Sequence, residues 1–316
     1  MRGSRFKNPS ISIIIPLHWG LKPENFPRFC QDLKNFLKQD YRNFEILLVV
    51  DRQVEIPIKS KRIRTLLTGS KKPTSPAEKR DFALSRLKSD VCAFIDDDAY
   101  PEVDWLKNAA TWFKNPDIIA VGGPGITPPE DGTMQKIGGY IIESYLCSGG
   151  IQNRFYTDGT AAESFEVDWP AYNLFVRSDV LRKVGGYGST FYGGEDTYLC
   201  IKLLKYGKIL FSSQVLVFHH RRAFPIGHLK QISSVGKHRG YFFKKYPETS
   251  RSIFYTLPTI LTLGFVFGVI LVVLSPQLFL LPFLIVFLFF WGLGALSVLR
   301  HKIGLVESTI ADWELC

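Results

Sequence analysis

Three consecutive aspartates, Asp96 to Asp98, follow an apolar run from Val91 to Ile95. Such a run indicates a buried strand, whose last residues emerge at the edge of a sheet. Adjacent carboxylates repel one another, and a hard divalent cation would relieve that repulsion while leaving positions for substrate phosphates. A solvated acidic turn is the alternative. Because a strand leads into the aspartates and Pro101 closes them, we favour a cation site.

A second acidic pair, Glu195 and Asp196, opens a helical pattern that extends to about Tyr206. Acids in the first turn of a helix are stabilised by its dipole, so two capping acids are one interpretation. The other interpretation is a ligand site, because the preceding pair Gly193-Gly194 lets the backbone approach a bound molecule closely. The local pattern leaves both open.

The first half of the chain alternates strand and helix patterns, which predicts an α/β fold with a mostly parallel sheet and helices on both faces. Ligands bind outside the carboxyl ends of the strands in such sheets. Asp51, directly after the second apolar run, and Asp96 to Asp98 lie at that edge, so we expect a shared site. The predicted strands are 10–16, 44–50, 63–67, 91–95 and 118–123, and the predicted helices are 24–39, 77–88 and 103–113.

The second half is less regular. Glycine, proline and serine are frequent from Pro124 to Pro170, which predicts loops over the site. Two apolar runs further along predict a hairpin-like pair of strands that ends at His219 and His220. The predicted elements here are a strand at 172–177, a helix at 178–184 and the paired strands at 209–212 and 215–218.

Composition indicates an anionic partner, since the 316 residues carry a formal net charge of +10 with a pI near 9.3. Much of the basic excess flanks the apolar stretch Ile253 to Leu299, which favours a membrane surface over nucleic acid. We therefore expect no nucleic-acid partner. The basic residues before the stretch are Arg221, Arg222, Lys230, Lys237, Arg239, Lys244, Lys245 and Arg251, and those after it are Arg300 and Lys302.

Two uncharged runs, Ile253 to Leu274 and Leu278 to Leu299, are each long enough to cross about 30 Å of hydrocarbon. Their basic outer flanks predict a transmembrane hairpin with both ends in the cytoplasm. A buried apolar hairpin in a globular core is the alternative. The predicted regions are an α/β domain (1–222), a basic amphipathic juxtamembrane segment (223–252), two transmembrane helices (253–299) and a cytoplasmic tail (300–316).

The cysteines and the N-terminus point to the same compartment. The N-terminus leads into a strand without a signal-peptide core, so we expect the α/β domain in the cytoplasm, on a multi-pass cytoplasmic membrane protein. The cysteines form no CxxC pair, as expected for buried or spare thiols in a reducing compartment. They are Cys30, Cys92, Cys147, Cys200 and Cys316.

Six segments occur in order between about residues 10 and 222: SIIIP, EILLVVD, AEKRDFAL, FIDDDAYP, VGGYG…GGEDTYLCIKLLKYG and VFHH. Their order and spacing resemble the family 2 glycosyltransferases, with a GT-A fold. The resemblance implies that residues 1–222 are a catalytic domain that takes a nucleotide-sugar donor and a divalent cofactor, Mg²⁺ or Mn²⁺.

The resemblance also implies a role for the acids of the first cluster. Asp96 and Asp98 would hold the metal, with Asp98 as the direct ligand, and the metal would bridge the donor diphosphate. Either His219 or His220 would be a further metal ligand, and a histidine that caps a strand is the alternative. The donor-binding residues would be Pro16, Asp51, Arg80, Asp96 and Asp97.

Asp196 matches the catalytic base of the family, with Glu195 beside it, and Asp51 would contact the base or ribose of the donor. Lys79 and Arg80 match positions where the family often has a basic residue near the nucleotide, and a solvated surface is the alternative. Two departures leave the nucleotide open: Arg52-Gln53 stands where the family has glycine-serine, and Asp81 stands where it commonly has asparagine. A third departure is that no clear QxxRW-type segment follows the histidines, which favours transfer of one sugar per turnover.

The predicted function is a membrane-anchored, metal-dependent, inverting glycosyltransferase of polysaccharide or glycoconjugate synthesis. It would move a sugar to a lipid-linked or glycan acceptor at the cytoplasmic membrane face. One alternative is a polyprenyl-phosphate-sugar synthase, whose phosphate acceptor would need no base. The others are a nucleotidyltransferase and a non-catalytic nucleotide-binding membrane protein.

Overall fold

The computed structural model describes residues 8–17, 25–148, 151–188, 194–249 and 253–314. The strands are β1 (Ile11–Pro16), β2 (Phe44–Val50), β3 (Ile63–Leu67), β4 (Val91–Phe94), β5 (Ala99–Pro101), β6 (Ile118–Gly122), β7 (Gly125–Ile126), β8 (Glu163–Glu166), β9 (Leu174–Arg177), β10 (Lys208–Ser212) and β11 (Val217–His219). The helices are α1 (Phe26–Leu37), α2 (Pro76–Leu84), α3 (Trp105–Trp112), α4 (Thr133–Glu143), α5 (Tyr145–Ser148), α6 (Ser178–Lys183), α7 (Glu195–Leu203), α8 (Ile226–Lys245), α9 (Ile253–Leu274) and α10 (Pro276–Glu314).

An eight-stranded sheet in the order β3-β2-β1-β4-β9-β6-β10-β8 forms the centre of the domain. β1 pairs in parallel with β2 and β4, β2 with β3, and β6 with β10, whereas β9 and β8 run antiparallel to their neighbours. α1 and α3 cover one face, and α2, α6 and α7 cover the other. The predicted mostly parallel α/β sheet with helices on both faces is confirmed.

A second sheet of three short strands, β5-β11-β7, lies beside the carboxyl ends of the first. β11 runs antiparallel to β5, and His219 is opposite Ala99, directly after the three aspartates. The predicted hairpin of residues 209–212 and 215–218 is therefore wrong. β10 pairs with β6 and β8 in the large sheet, whereas β11 finds its partners in the small one.

The stretch from Pro124 to Pro170, predicted as loops, contains β7, α4, α5 and β8. The glycines of α4 permit close packing and do not loosen the chain. A Cβ on Gly138 would lie 2.9 Å from the Arg222 carbonyl oxygen, and one on Gly139 would lie 2.3 Å from Thr127 Oγ1. Frequent glycine predicts loops, but in this stretch it lets a helix approach its neighbours.

The C-terminal helices join the domain through α8. The ring of Phe242 is fully buried and lies so close to Gly194 that a Cβ there would come within 2.6 Å of it. α9 packs on α10 through Phe265, whose ring centroid lies 5.5 Å from that of Phe283. Gly268 makes this approach possible, because a Cβ there would meet the Phe283 ring at 2.6 Å.

One helix within the described ranges, Pro276–Leu299, is long and apolar enough to cross a membrane by length and composition. Its mean hydropathy is 2.4, and none of it is buried. The apolar helix just before it, Pro258–Leu274, is shorter. This pair is consistent with the predicted hairpin, and a two-span topology stays a prediction. Among the cysteines, Cys30, Cys92 and Cys200 are buried free thiols, and the thiols of Cys147 and Cys316 lie outside the described part.

Candidate active site

A cleft of about 1310 Å³ opens at the carboxyl ends of the strands and continues along α8 to the start of α9. It contains nearly all the side chains that the sequence singles out, although they come from distant parts of the chain. Asp51 does not line it, and Gly193 lies outside the described residues. The predicted site residues that line the cleft are Pro16, Arg80, Asp96, Asp97, Asp98, Glu195, Asp196, His219 and His220.

Asp96, Asp98 and His219 form a group that could hold a metal ion, since one potential ligand atom from each lies within 4.8 Å of the others. Asp98 Oδ1 lies 3.1 Å from His219 Nε2, and Asp98 Oδ2 lies 3.0 Å from Arg222 Nη2. Burial alone would raise the pKa of Asp98, but the charges of His219 and Arg222 hold it well below its usual range. The carboxylate is therefore ionised, and two carboxylates with an imidazole are a donor set that Mg²⁺ or Mn²⁺ fits.

His219 is held in place on two sides. Its ring stacks on Tyr172, with centroids 4.8 Å apart, and its Nδ1 lies 3.3 Å from Arg221 Nη1. These contacts leave Nε2 facing Asp98. His219, rather than His220, is thus the histidine beside the first acidic cluster.

His220 belongs to a different group. Its Nδ1 lies 2.5 Å from Asp131 Oδ1 and its Nε2 lies 3.2 Å from Asp32 Oδ2. Burial lowers the pKa of this histidine, but the two carboxylates raise it, with a net rise to about 9. His220, Asp32 and Glu130 also lie close enough together to hold an ion. The His220 imidazolium, however, already pairs with the carboxylates of Asp32 and Asp131, so these charges are balanced without one. This group joins α1 to the segment before α4.

The start of α2 positions two basic side chains. Ser75 Oγ accepts from the Glu78 amide at 3.2 Å, and the Glu78 carboxylate accepts from the Ser75 amide at 2.7 Å, which fixes the first turn. Lys79 and Arg80 follow directly and are almost fully buried, so the solvated-surface interpretation of these residues is wrong.

Arg80 lies between the two acidic clusters. Its Nη2 donates to Asp96 Oδ1 at 2.6 Å, and its Nη1 lies 3.8 Å from Asp196 Oδ1. The guanidinium lies 5.3 Å from the centroid of the fully buried Tyr187 ring, which fixes its plane. One buried cation thus connects the candidate metal site with the acid pair of α7.

Asp51 is enclosed by donors from its own domain. Oδ1 accepts from the hydroxyls of Thr68 and Thr74 at 2.7 and 2.6 Å, and Oδ2 accepts from Lys79 Nζ at 2.6 Å and the Thr74 amide at 3.2 Å. Asp51 therefore anchors the loop between β3 and α2, whose residues Pro73 to Pro76 line the cleft. A direct contact of Asp51 with a nucleotide stays a prediction.

Glu195 and Asp196 have different environments although they are adjacent. Glu195 is buried and accepts from the Gly194 amide at 2.8 Å. Asp196 Oδ2 accepts from the Ala171 amide at 3.1 Å, and its buried Oδ1 accepts no hydrogen bond from the described residues. Burial and the neighbouring Glu195 raise the pKa of Asp196 to about 7, although Arg80 opposes the rise. Asp196 is thus the acid of this pair whose side chain, 28% exposed, reaches the cleft.

Sequence reasoning missed several residues of the cleft. Arg221 and Arg222 were assigned to the basic flank of the membrane stretch, which is wrong, because both line the cleft and Arg222 pairs with Asp98. Their position directly after His219-His220 was the available signal. Tyr172 and Arg154 also line the cleft, and the Tyr172 hydroxyl donates to the Arg154 carbonyl at 2.5 Å.

Comparison with known proteins identifies the family. The family described as "Glycosyl transferase family 2" matches residues 12–178, which include Asp51, the three aspartates and β1 apart from Ile11. The chain belongs to this family. The resemblance inferred from the six segments is therefore confirmed, and the match ends before the acid pair of α7.

Curated relatives are similar over part of their length. The chain is 28% identical over 148 residues to a pre-mycofactocin glycosyltransferase of Mycobacterium tuberculosis strain H37Rv, covering 46% of this chain and 30% of the relative. It is 27% identical over 214 residues to a glucosyl-dolichyl phosphate glucuronosyltransferase of Haloferax volcanii, covering 62% of this chain and 65% of the relative. The chain thus spans less than two thirds of these relatives.

Among solved structures, the fold is similar to that of the mannosyltransferase PcManGT from Pyrobaculum calidifontis in complex with GDP-Man and Mn²⁺. The TM-score is 0.57 with 14% sequence identity, over 96% of this chain and 88% of the other. At this identity the likeness shows the fold alone. It supports the GT-A assignment of the central sheet.

Proposed function

We propose that this protein is a membrane-anchored, metal-dependent, inverting glycosyltransferase that moves one sugar from a nucleotide-sugar donor to an acceptor at the cytoplasmic membrane face. The observation that carries the proposal is the arrangement around Arg80. Its guanidinium connects Asp96 of the candidate metal site with Asp196, a partly exposed carboxyl group whose pKa is raised to about 7. A site for a leaving diphosphate and a site for proton removal thus share one cleft.

Donor binding would use the acidic side of the cleft. Asp96, Asp98 and His219 would hold the divalent ion, which when bound neutralises the charge of the departing nucleoside diphosphate. Arg222 beside Asp98 adds a positive charge on the same side. The loop that Asp51 and Lys79 anchor supplies Pro73 to Pro76 as a wall for the nucleotide.

Transfer to a hydroxyl acceptor would use Asp196. The acceptor oxygen forms a bond to the anomeric carbon, the bond from that carbon to the donor phosphate breaks, and the nucleoside diphosphate leaves with the electron pair. The hydroxyl proton goes to the Asp196 carboxylate. A carboxyl group with a pKa near 7 is well matched to this role at neutral pH. A single displacement inverts the anomeric configuration.

Two observations support a lipid-linked acceptor over a soluble glycan. The cleft continues from the acids to Tyr255 and Pro258 at the start of α9, next to the helix that can cross a membrane. The Haloferax volcanii relative carries a dolichyl phosphate sugar in its name. A polyprenyl-phosphate-sugar synthase is the second candidate, because an ionised phosphate oxygen would attack without a base.

One experiment separates transfer to a lipid acceptor from transfer to a soluble acceptor, and both from a nucleotidyltransferase. Membranes containing the protein are incubated with a panel of radiolabelled nucleotide sugars, and the label in the lipid phase, the nucleotide product and the anomeric configuration are determined. Labelled lipid, free nucleoside diphosphate and inversion are expected. Release of free inorganic diphosphate would instead identify a nucleotidyltransferase. If no donor is bound or consumed, the proposal fails.

A further inference from the structure

The wall of the cleft opposite the acidic clusters is built from α8 and the start of α9, which lie beyond the region of the family match. α8 presents three exposed apolar side chains to the cleft, Ile232, Val235 and Phe243. The start of α9 adds Tyr255 and Pro258. The route from Asp196 to the membrane helices is therefore apolar along one side.

Arg239 is a basic side chain of this wall that contacts α7, the helix that begins with the acid pair. Its Nη2 donates to Thr197 Oγ1 at 3.1 Å, and Thr197 directly follows Asp196 in α7. Its guanidinium carbon lies 4.4 Å from the centroid of the Tyr255 ring, so a residue of α9 also contacts the guanidinium. Thr197 Oγ1 in turn donates to Asp168 Oδ2 at 3.0 Å. The guanidinium is thus held between α7 and α9.

We propose that Arg239, held by Thr197 and Tyr255, binds the phosphate of a lipid-phosphate acceptor whose apolar chain follows Ile232, Val235 and Phe243 towards α9. The planar guanidinium matches the geometry of a phosphate group, and its cation is held where the apolar wall meets the acids. From the acids towards α9, the cation comes first and the apolar surface follows. A lipid phosphate has the same order, with the phosphate first and the apolar chain beyond it. The inference rests on the second candidate of the proposed function, the polyprenyl-phosphate-sugar synthase, and assigns the acceptor site of that enzyme.

Binding measurements on the full-length protein in detergent test the inference without the donor. The probes are a polyprenyl phosphate, the corresponding uncharged polyprenol and inorganic phosphate. Arg239→Gln is expected to weaken binding of the polyprenyl phosphate by at least about tenfold, the effect of one charge-assisted contact, and to change polyprenol binding less than about twofold. Inorganic phosphate should compete weakly, because it lacks the chain.

Three variants serve as controls. Lys237→Gln removes an exposed cation two residues away on α8, outside the residues that line the cleft, and should leave polyprenyl phosphate binding near the wild-type value. Arg239→Lys keeps the charge and should restore part of the affinity. Thr197→Val breaks the contact between α8 and α7 while leaving the guanidinium, and should cost less than Arg239→Gln.

Several results would overturn the inference: no effect of Arg239→Gln, an equal loss for polyprenol, an equal loss in Lys237→Gln, or an equal loss in Thr197→Val. If inorganic phosphate competes as well as the lipid, the polyprenyl chain does not contribute to binding at this site. If the wild type transfers sugar to soluble hydroxyl acceptors but does not bind polyprenyl phosphate, the acceptor site is wrong and the proposed sugar transfer stands. If the protein binds polyprenyl phosphate through Arg239 but consumes no donor, the lipid-phosphate site stands and the proposed sugar transfer is wrong.

Discussion

Arg80 donates to Asp96 at 2.6 Å from a position where only 4% of its side chain is exposed. This buried cation keeps the first of the three aspartates in a fixed orientation. It also places a positive charge 3.8 Å from Asp196, so the two acidic clusters are electrostatically connected.

Asp98→Ala is expected to abolish sugar transfer and to weaken donor binding, because it removes the ionised carboxylate of the candidate metal group. Chelation of the wild type should have the same effect, and added Mn²⁺ or Mg²⁺ should reverse it. Transfer assays and nucleotide binding measure both. Asp117→Ala, which removes an exposed acid elsewhere, is the control and should retain activity. Full activity in excess chelator would show that sugar transfer does not require a metal ion.

Asp196→Asn is expected to lower turnover with a hydroxyl acceptor by roughly 10²–10⁴-fold, the scale of one general base, with donor affinity within a few-fold of normal. Asparagine caps helices nearly as well as aspartate, so a purely structural acid would leave the variant active. Steady-state kinetics with separate donor binding distinguishes the two. Near-wild-type turnover with a hydroxyl acceptor would refute the base, and the same result with a phosphate acceptor would favour the synthase.

Turnover with a hydroxyl acceptor should fall as the pH decreases through about 7. The pKa of Asp196 is raised to about 7, so the base is ionised above that pH and protonated below it. Arg80 opposes this rise, and Arg80→Gln should therefore move the acid limb of the profile to higher pH. A profile of turnover against pH at saturating donor measures both effects. An acid limb that is unchanged in Asp196→Asn would assign it to another group.

The C-terminal helices give a topological prediction. A reporter at the C-terminus should lie in the cytoplasm, and one inserted near Gln277 should face outwards, because the basic flanks retain both ends of the hairpin inside. A chain cut after about Tyr246 should give a soluble or peripherally bound protein that still binds nucleotide. Protease protection in oriented vesicles is the measurement. A C-terminal reporter outside would mean that only the longer helix, Pro276–Leu299, crosses the membrane.

The ion pair of Lys79 and Asp51 should matter for stability, because both side chains are nearly inaccessible and their charged atoms lie 2.6 Å apart. Lys79→Met leaves the Asp51 charge buried and is expected to cost about 3–5 kcal/mol in the free energy of unfolding. Asp51→Asn in the same chain should recover part of the loss. Lys107→Met is the matched control, since its partner Asp40 is exposed, and should have little effect. Equal destabilisation by both lysine variants would contradict this account.

The sequence predicted the parts of the fold that depend on local pattern. The runs at β1, β2 and β4 are continuous and apolar because these strands are buried on both faces, and their ends place Asp51 and the three aspartates at one edge. It failed where long-range pairing decides. β10 and β11 are adjacent in the chain and read as a hairpin, but each has better partners elsewhere.

The same limit applies to the site. Asp96, Asp98 and Asp196 could be found because their spacing from neighbouring elements matches a known family. For Arg222 the position after His219-His220 was too weak a signal, because its charge also suits a membrane flank and only the short sheet of β5, β11 and β7 brings the segment after β11 towards Asp98. Arg239 is a similar case, since a contact with Thr197 across two helices has no local signature.

The packing of Phe242 on Gly194 sets a lower limit to the length of chain that can work as an enzyme. A protein ended at residue 222, where the sequence places the end of the catalytic domain, would lose the aromatic ring that covers the backbone directly before Glu195 and Asp196. The first turn of α7 would then be open to water on the side that α8 now covers. Since α8 also leads into the apolar helices, a single helix separates those helices from the acid pair.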